Sequence, residues 1–98
     1  MKRDAEAIDK AFASYWRRSF PLAPGRNLFV AFLIRSSDWR PLKAPWWRGK
    51  EVSIIGSDLS GNFFLRHCDG SVRYWDHSKQ VDEIIAPSVV EFCNRLIE

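Results

Sequence analysis

The sequence predicts an α+β single domain, a mainly antiparallel curved sheet with an N-terminal and a C-terminal helix. Three observations carry that expectation. Between residues 51 and 77, three apolar strand-like runs are cut by two turn signals, G-S-D-L-S-G-N and Asp69-Gly70. Asp-Gly is among the strongest short hairpin signals, because both residues tolerate positive φ. Ser88-Val89-Val90-Glu91 then forms a capping box, in which Ser88 and Glu91 reciprocally satisfy free backbone N–H groups ahead of an apolar stripe.

Taken in order, Asp4 to Phe20 reads as a helix, with Ala5, Ile8, Phe12, Tyr15, Trp16 and Phe20 at three- and four-residue spacing. Pro21 stops it, since proline disfavours helical geometry in the residue before it. The loop P-L-A-P-G-R-N leads to L-F-V-A-F-L-I, residues 28 to 34, whose unbroken apolar character suits a central strand covered on both faces. Residues 35 to 50 show no clean period and hold two prolines and a glycine, so they read as a long connection. At the C-terminus, Val89, Phe92, Cys93, Leu96 and Ile97 form one apolar helical stripe. Phe63, Leu65, Val72, Tyr74, Phe92 and Leu96 are expected to share the core.

With a two-residue loop at Asp69-Gly70, His67 opposes Val72, Leu65 opposes Tyr74 and Phe63 opposes Asp76. Phe63, Leu65, His67, Val72 and Tyr74 then share the core face, and Phe64, Arg66, Arg73 and Trp75 share the other. Arg66 directly opposes Arg73 in that register. Such a pair calls for an acidic neighbour or partner, for cation–π contact with Trp75 and Phe64, or for a solvated outer face.

Ninety-eight residues, 46% of them hydrophobic, support one core but not two. Residues 1 to 50 hold eleven Lys/Arg against four Asp/Glu, and residues 51 to 98 hold four against eight. This split suits a polar or nucleic-acid partner, or two halves that attract each other, or solvated charge. The start M-K-R-D-A-E-A-I-D-K has no apolar leader core, and no run approaches 18 apolar residues. The expectation is a cytoplasmic protein with no membrane span and with Cys68 and Cys93 both reduced.

Catalytic, metal and cofactor chemistry find no support. His67 and His77 fall near opposite ends of the hairpin, roughly 16 Å apart at ~3.3 Å per residue, so His67, Cys68, Asp76, His77 and Cys93 cannot converge on zinc. After Asp58 and Ser60 the loop turns to Phe63, Phe64 and Leu65, which breaks an EF-hand pattern; Asp58 is expected to cap its own turn. Phosphate-binding glycine motifs and G-x-S-x-G are absent, and no nucleophile sits beside a base.

The strongest candidate surface is Trp39, Arg40, Lys43, Trp46, Trp47, Arg48 and Lys50, joined by Arg66, Arg73 and Trp75 from the hairpin. Trp and Arg dominate interface hot spots, and loops between rigid elements suit binding. A basic groove with stacking aromatics also suits single-stranded nucleic acid, although no nucleic-acid motif accompanies it. The competing reading is that Trp46 and Trp47 fold back over the sheet and close the core.

Ile55-Gly56-Ser57-Asp58, Gly61-Asn62, Asp69-Gly70, Val72, Trp75-Asp76-His77 and Ser88 to Phe92 together resemble the C-terminal half of the SUKH superfamily. That superfamily groups bacterial toxin-immunity proteins with fungal cell-wall synthesis regulators, and the resemblance covers about half of the chain. It implies one SUKH-like domain over residues 1–98, without catalysis, that binds a protein partner such as a toxin domain. Members that neutralise nucleases look acidic, whereas this N-terminal half is basic, which points away from a nuclease toxin. The runner-up function is a nucleic-acid-binding module using the basic, Trp-rich surface.

Overall fold

The computed structural model describes residues 2–13, 18–43, 45, 47 and 51–97. Its elements are α1 (Lys2–Phe12), β1 (Arg18–Ala23), β2 (Arg26–Val30), β3 (Phe32–Leu33), a 3-10 turn (Ser36–Asp38), β4 (Val52–Ser57), β5 (Phe63–His67), β6 (Val72–Asp76), β7 (Val81–Ala86) and α2 (Val89–Asn94). β1 and β2 pair as a hairpin, and β3-β4-β5-β6-β7 form a five-stranded sheet in which every neighbour is antiparallel. The α+β class and the antiparallel sheet are therefore as the sequence predicts.

Two N-terminal expectations are corrected. α1 ends at Phe12, and Arg18 to Ala23 is a strand, not the end of a helix. Tyr15 and Trp16 lie outside the described residues. Phe20 and Leu22 do face the core, but with the two-residue period of a strand. Pro21 sits where the β1–β2 register shifts, a site at which a missing N–H is tolerated. The apolar run at 28–34 is not one central strand but β2 and β3, which belong to different sheets. Ala31 joins them and donates its N–H to Ser57 O at 2.9 Å. Leu28, Val30 and Leu33 are buried, whereas Phe32 is 52% exposed, so the run is covered mainly on one side.

Two helices and the β1–β2 hairpin cover one face of the five-stranded sheet. Ile8, Phe20, Leu28, Val30, Leu33, Ile55, Phe64, Val72, Ile85, Val89 and Phe92 are buried there as one cluster. Phe92 stacks 5.2 Å from Phe20 and lies 5.5 Å from Phe64, centroid to centroid. Offset ring pairs add to area burial, so Phe92 ties α2 to both sheets. At α2 the Ser88 bond of the expected capping box is present, its Oγ accepting from the Glu91 N–H at 3.1 Å. The helix ends at Asn94, however, so Leu96 and Ile97 lie beyond it and Ile97 bridges Ser19 instead. Asp9 pins α1 to the 3-10 turn by accepting the Ser36 N–H at 2.8 Å and its hydroxyl at 2.7 Å. At Gly56 an added Cβ would lie 2.7 Å from Phe32 O, so glycine is what lets β3 approach β4.

The hairpin register also differs from the expected one. Phe63 pairs with Trp75, Phe64 with Tyr74, Leu65 with Arg73 and Arg66 with Val72. The loop has three residues, Cys68-Asp69-Gly70, and His67 N–H donates to Ser71 O at 2.8 Å across its base. Gly70 at φ +92° supplies the left-handed residue that such a loop requires. Asp69 holds the turn by accepting the Ser71 N–H at 2.9 Å and hydroxyl at 2.6 Å. Slipping a hairpin by one residue exchanges its faces. Phe64, Arg66, Val72 and Tyr74 thus face the helices, and Phe63, Leu65, Arg73 and Trp75 face away. Arg66 and Arg73 do not oppose each other. The six expected core residues are likewise divided, with Val72, Tyr74, Phe92 and Leu96 on the helix side and Phe63 and Leu65 on the other.

Candidate partner-binding surface

The face away from the helices is covered by the long connection. Leu42 N–H donates to Val52 O at 2.7 Å and Pro41 bridges Ser53, so the connection runs beside β4. From there Leu42 and Trp47 pack on Val52, Leu65 and Trp75. Trp47 meets Trp75 edge-on, with centroids 5.5 Å apart and planes at 85°. Of the two residues expected either to form a surface or to close the core, Trp47 is half-buried and folds back over the sheet onto Trp75. Trp46, Arg48 and Lys50 lie outside the described residues.

The cover is incomplete. A groove of ≈ 380 Å³ remains over the β5–β6 pair, lined by Gly61, Phe63, Trp75, His77 and Gln80. Cross-strand pairing of Phe63 with Trp75 makes its aromatic floor. On the same face, Ile84 of β7 lies beside Arg73 and is 58% exposed.

The predicted surface residues do not form one patch. Trp39 packs toward the helix side, donates its Nε1–H to Ile34 O at 3.0 Å, and carries the Arg66 guanidinium 5.6 Å above its ring. Arg66 also reaches Asp4 at 3.2 Å. Arg40 donates to the carbonyls of Ser37 and Trp39 at 3.1 and 2.7 Å. Lys43 is exposed. Arg73 lies on the opposite face with Trp75 and Trp47, bonded to Asp82 at 3.1 Å and 3.8 Å from Asp69. Between the oppositely charged halves, Arg26 grips Glu83 with two bonds of 2.9 and 2.7 Å.

A polar cluster holds the groove's rim. Asp58 caps its turn as expected, accepting the N–H groups of Ser60 and Asn62 at 2.8 and 3.0 Å. Its other oxygen accepts the Tyr74 hydroxyl at 2.6 Å and Asn62 Nδ2 at 3.0 Å. With Nδ2 so directed, Asn62 Oδ1 accepts from the His77 N–H at 3.0 Å and faces His77 Nδ1 at 2.6 Å. Burial pushes the Tyr74 phenol up to about 12, and the Asp58 charge adds to this. Burial alone would raise Asp58, but the bonds from Tyr74, Asn62 and Ser60 outweigh it and hold the carboxyl below its ordinary value. Tyr74 therefore stays protonated and Asp58 ionised at neutral pH. Asp58, Asn62 and His77 thus fasten the β4–β5 turn to the end of β6.

Sequence reading missed β7 and the groove residues Gly61, Phe63, His77 and Gln80 as a site. The β-branched run V-D-E-I-I-A, closed by Pro87, was the available signal for the strand. Among the described residues, no group of His, Cys, Asp and Glu is placed to hold a metal ion, and no helix is long and apolar enough to cross a membrane. Cys68 is exposed and Cys93 half-buried, and both are unbridged. In comparisons with known proteins, the chain matches no family model, no curated protein and no solved structure.

Proposed function

We propose that this chain is a non-catalytic protein-binding domain, an immunity protein that neutralises a cognate toxin in the cytoplasm. The reading is carried by the aromatic groove floored by Phe63 and Trp75, open on the sheet face that the helices leave uncovered. Apolar floors with polar rims are what protein partners anchor in. The placement of the arginines favours protein over nucleic acid. Arg66 and Arg73 hold acidic side chains of the same chain, and Arg40 holds backbone carbonyls. Cations so engaged are poor ligands for phosphate, which must displace their partners. The SUKH resemblance supplies the toxin as partner class.

The test has two arms. The purified domain is titrated against the toxin domain encoded by an adjacent reading frame, and separately against labelled single-stranded and duplex oligonucleotides at several salt concentrations. The expected result is sub-micromolar binding to the toxin domain that changes little with salt and weakens at least tenfold in Phe63→Ala. Micromolar oligonucleotide binding that collapses with salt and is lost in Trp47→Ala would replace this function with nucleic-acid binding, because released counterions impose that dependence.

A further inference from the structure

The two edges of the five-stranded sheet are built differently. At one edge, the outer side of β4 meets β3 at Gly56 and Ser57, the Ile34 N–H at Ile55, and Pro41 and Leu42 at Ser53 and Val52. Short pieces and a proline close it, which is how sheets avoid edge-to-edge pairing. At the other edge stands β7, six residues long, with no proline or lysine. Among the described residues no strand pairs with its outer side.

Ladder alternation identifies the outward groups. The His67–Ser71 bond and the β5–β6 register turn the main-chain groups of Val72, Tyr74 and Asp76 toward β7. Their partners Glu83 and Val81 therefore bond inward, and the N–H and C=O of Asp82 and Ile84 face outward. Arg95 closes the far end by donating to Ile85 O at 3.5 Å. Edge strands usually repel one another through charge, but here both charges are countered by the chain's own arginines. Asp82 is bonded to Arg73 at 3.1 Å, and Glu83 is gripped by Arg26. Val81 and Ile84 remain 49% and 58% exposed on opposite faces of the strand.

We propose that β7 is a self-association edge, on which a second copy of this chain adds antiparallel across a two-fold axis through Glu83. In that register each Asp82 opposes the partner's Ile84 and each Ile84 opposes the partner's Asp82, so every outward main-chain group finds a bond. Val81 meets the partner's Ile85, and the two sheets become one. A two-fold contact must be self-complementary, and this strand is so in the one register that uses both outward residues. One strand pair buries less than the ~1,200 Å² of a standard interface, so the dimer is weak, dissociating in roughly the micromolar range. This inference is independent of the toxin reading, because it concerns the edge and not the groove.

Sedimentation velocity on the full chain, from roughly 1 to 500 µM, reads the association. A concentration-dependent dimer is expected. Ile84→Lys, which places a charge on an exposed edge position, should shift its midpoint at least tenfold upward while leaving the thermal melt unchanged. Glu83→Cys gives a second readout, because a non-hydrogen-bonded antiparallel pair holds its Cα atoms about 4.5 Å apart, within disulfide reach. Mild oxidation should cross-link this variant into dimers faster than the parent chain with its two native thiols. A chain that stays monomeric throughout the range, a dimer indifferent to Ile84→Lys, or Glu83→Cys cross-linking no faster than the parent would each overturn the proposal. A monomer whose β7 accepts a strand from another protein falls in the first of these outcomes.

Discussion

The two faces of the five-stranded sheet are made by the same strands yet are finished in different ways. The helix face is sealed by regular elements whose side chains meet in one continuous cluster around Phe20, Phe64 and Phe92. Its charged residues are clamps, with Asp4 on Arg66 and Asp9 on Ser36. The opposite face holds a smaller apolar cluster, Val52, Leu65 and Trp75, under an irregular segment that contributes Leu42 and Trp47. A regular helix presents a repeating apolar stripe and can cover a sheet completely, whereas a proline-punctuated connection covers what its few large rings reach. The first face supplies stability. The second trades part of its cover for an open aromatic groove.

The adjacent residues Phe64 and Phe63 test this division most strongly, because one belongs to each face. Phe64 is fully buried between Phe92 and Tyr74. Phe64→Ala should cost about 3–5 kcal/mol, measured by urea unfolding, and approach the whole stability of so small a domain. Phe63→Ala should cost about 1 kcal/mol, since its ring is only half-buried, but should remove partner binding. Equal costs at the two positions would erase the distinction between the faces, and a larger cost at Phe63 would restore the two-residue hairpin loop.

Next in size is the polar cluster at the groove's rim. Tyr74→Phe deletes the hydroxyl that Asp58 accepts at 2.6 Å and should cost about 1–2 kcal/mol. The same groups set the pH profile. Asp69 is held down to about 2, chiefly by the Ser71 hydroxyl and N–H, and Asp9, Asp58 and Asp76 also lie below the ordinary 3.8. A carboxyl whose folded pKa is depressed stabilises above its unfolded value, so this contribution is lost as pH falls from about 4 toward 2. Tyr74 is raised from 10.0 to about 12, so its contribution is present below pH 10 and is lost between about 10 and 12. Urea midpoints should be flat between roughly pH 5 and 9 and fall on both sides. Asp69→Asn should soften the acid fall and Tyr74→Phe the alkaline one. A profile unchanged in both variants would mean these bonds do not distinguish the folded from the unfolded chain.

What the sequence discloses about the two faces follows from the range of the forces involved. The Ser88 cap, the Asp58 turn and the existence of the Asp69-Gly70 hairpin rest on bonds between residues within four positions, and all three were legible. The face assignment of Phe63 and Phe64 was not, because it depends on one residue of loop length. That length is decided by His67 bonding to Ser71 and by Asp69 capping Ser71, an arrangement the dipeptide Asp-Gly does not distinguish from a tighter turn. The spacing of Phe20 from Trp16 suits a helix, while its pairing with Leu28 in the β1–β2 hairpin is a matter of contact between strands that this spacing does not carry. The aromatic residues of the candidate surface were found individually, as Trp47 and Trp75. Their meeting, 28 positions apart in the chain, is not encoded locally.

The smallest effect sharpens the register itself. Gly70 occupies φ +92°, with nothing within 4 Å of where a Cβ would stand, so the penalty of a side chain there is conformational and not steric. Gly70→Ala should cost about 1 kcal/mol, the usual difference for a non-glycine residue forced to positive φ. Both faces should survive it. Phe64 opposite Tyr74 and Arg66 opposite Val72 are non-hydrogen-bonded pairs, whose α-hydrogens approach closely in an antiparallel ladder. Nuclear Overhauser contacts between those α-hydrogens should appear in the parent chain and persist in Gly70→Ala. Contacts linking Leu65 to Tyr74 in their place would mean that the loop has two residues, and would send Phe63 to the helix face and Phe64 to the groove.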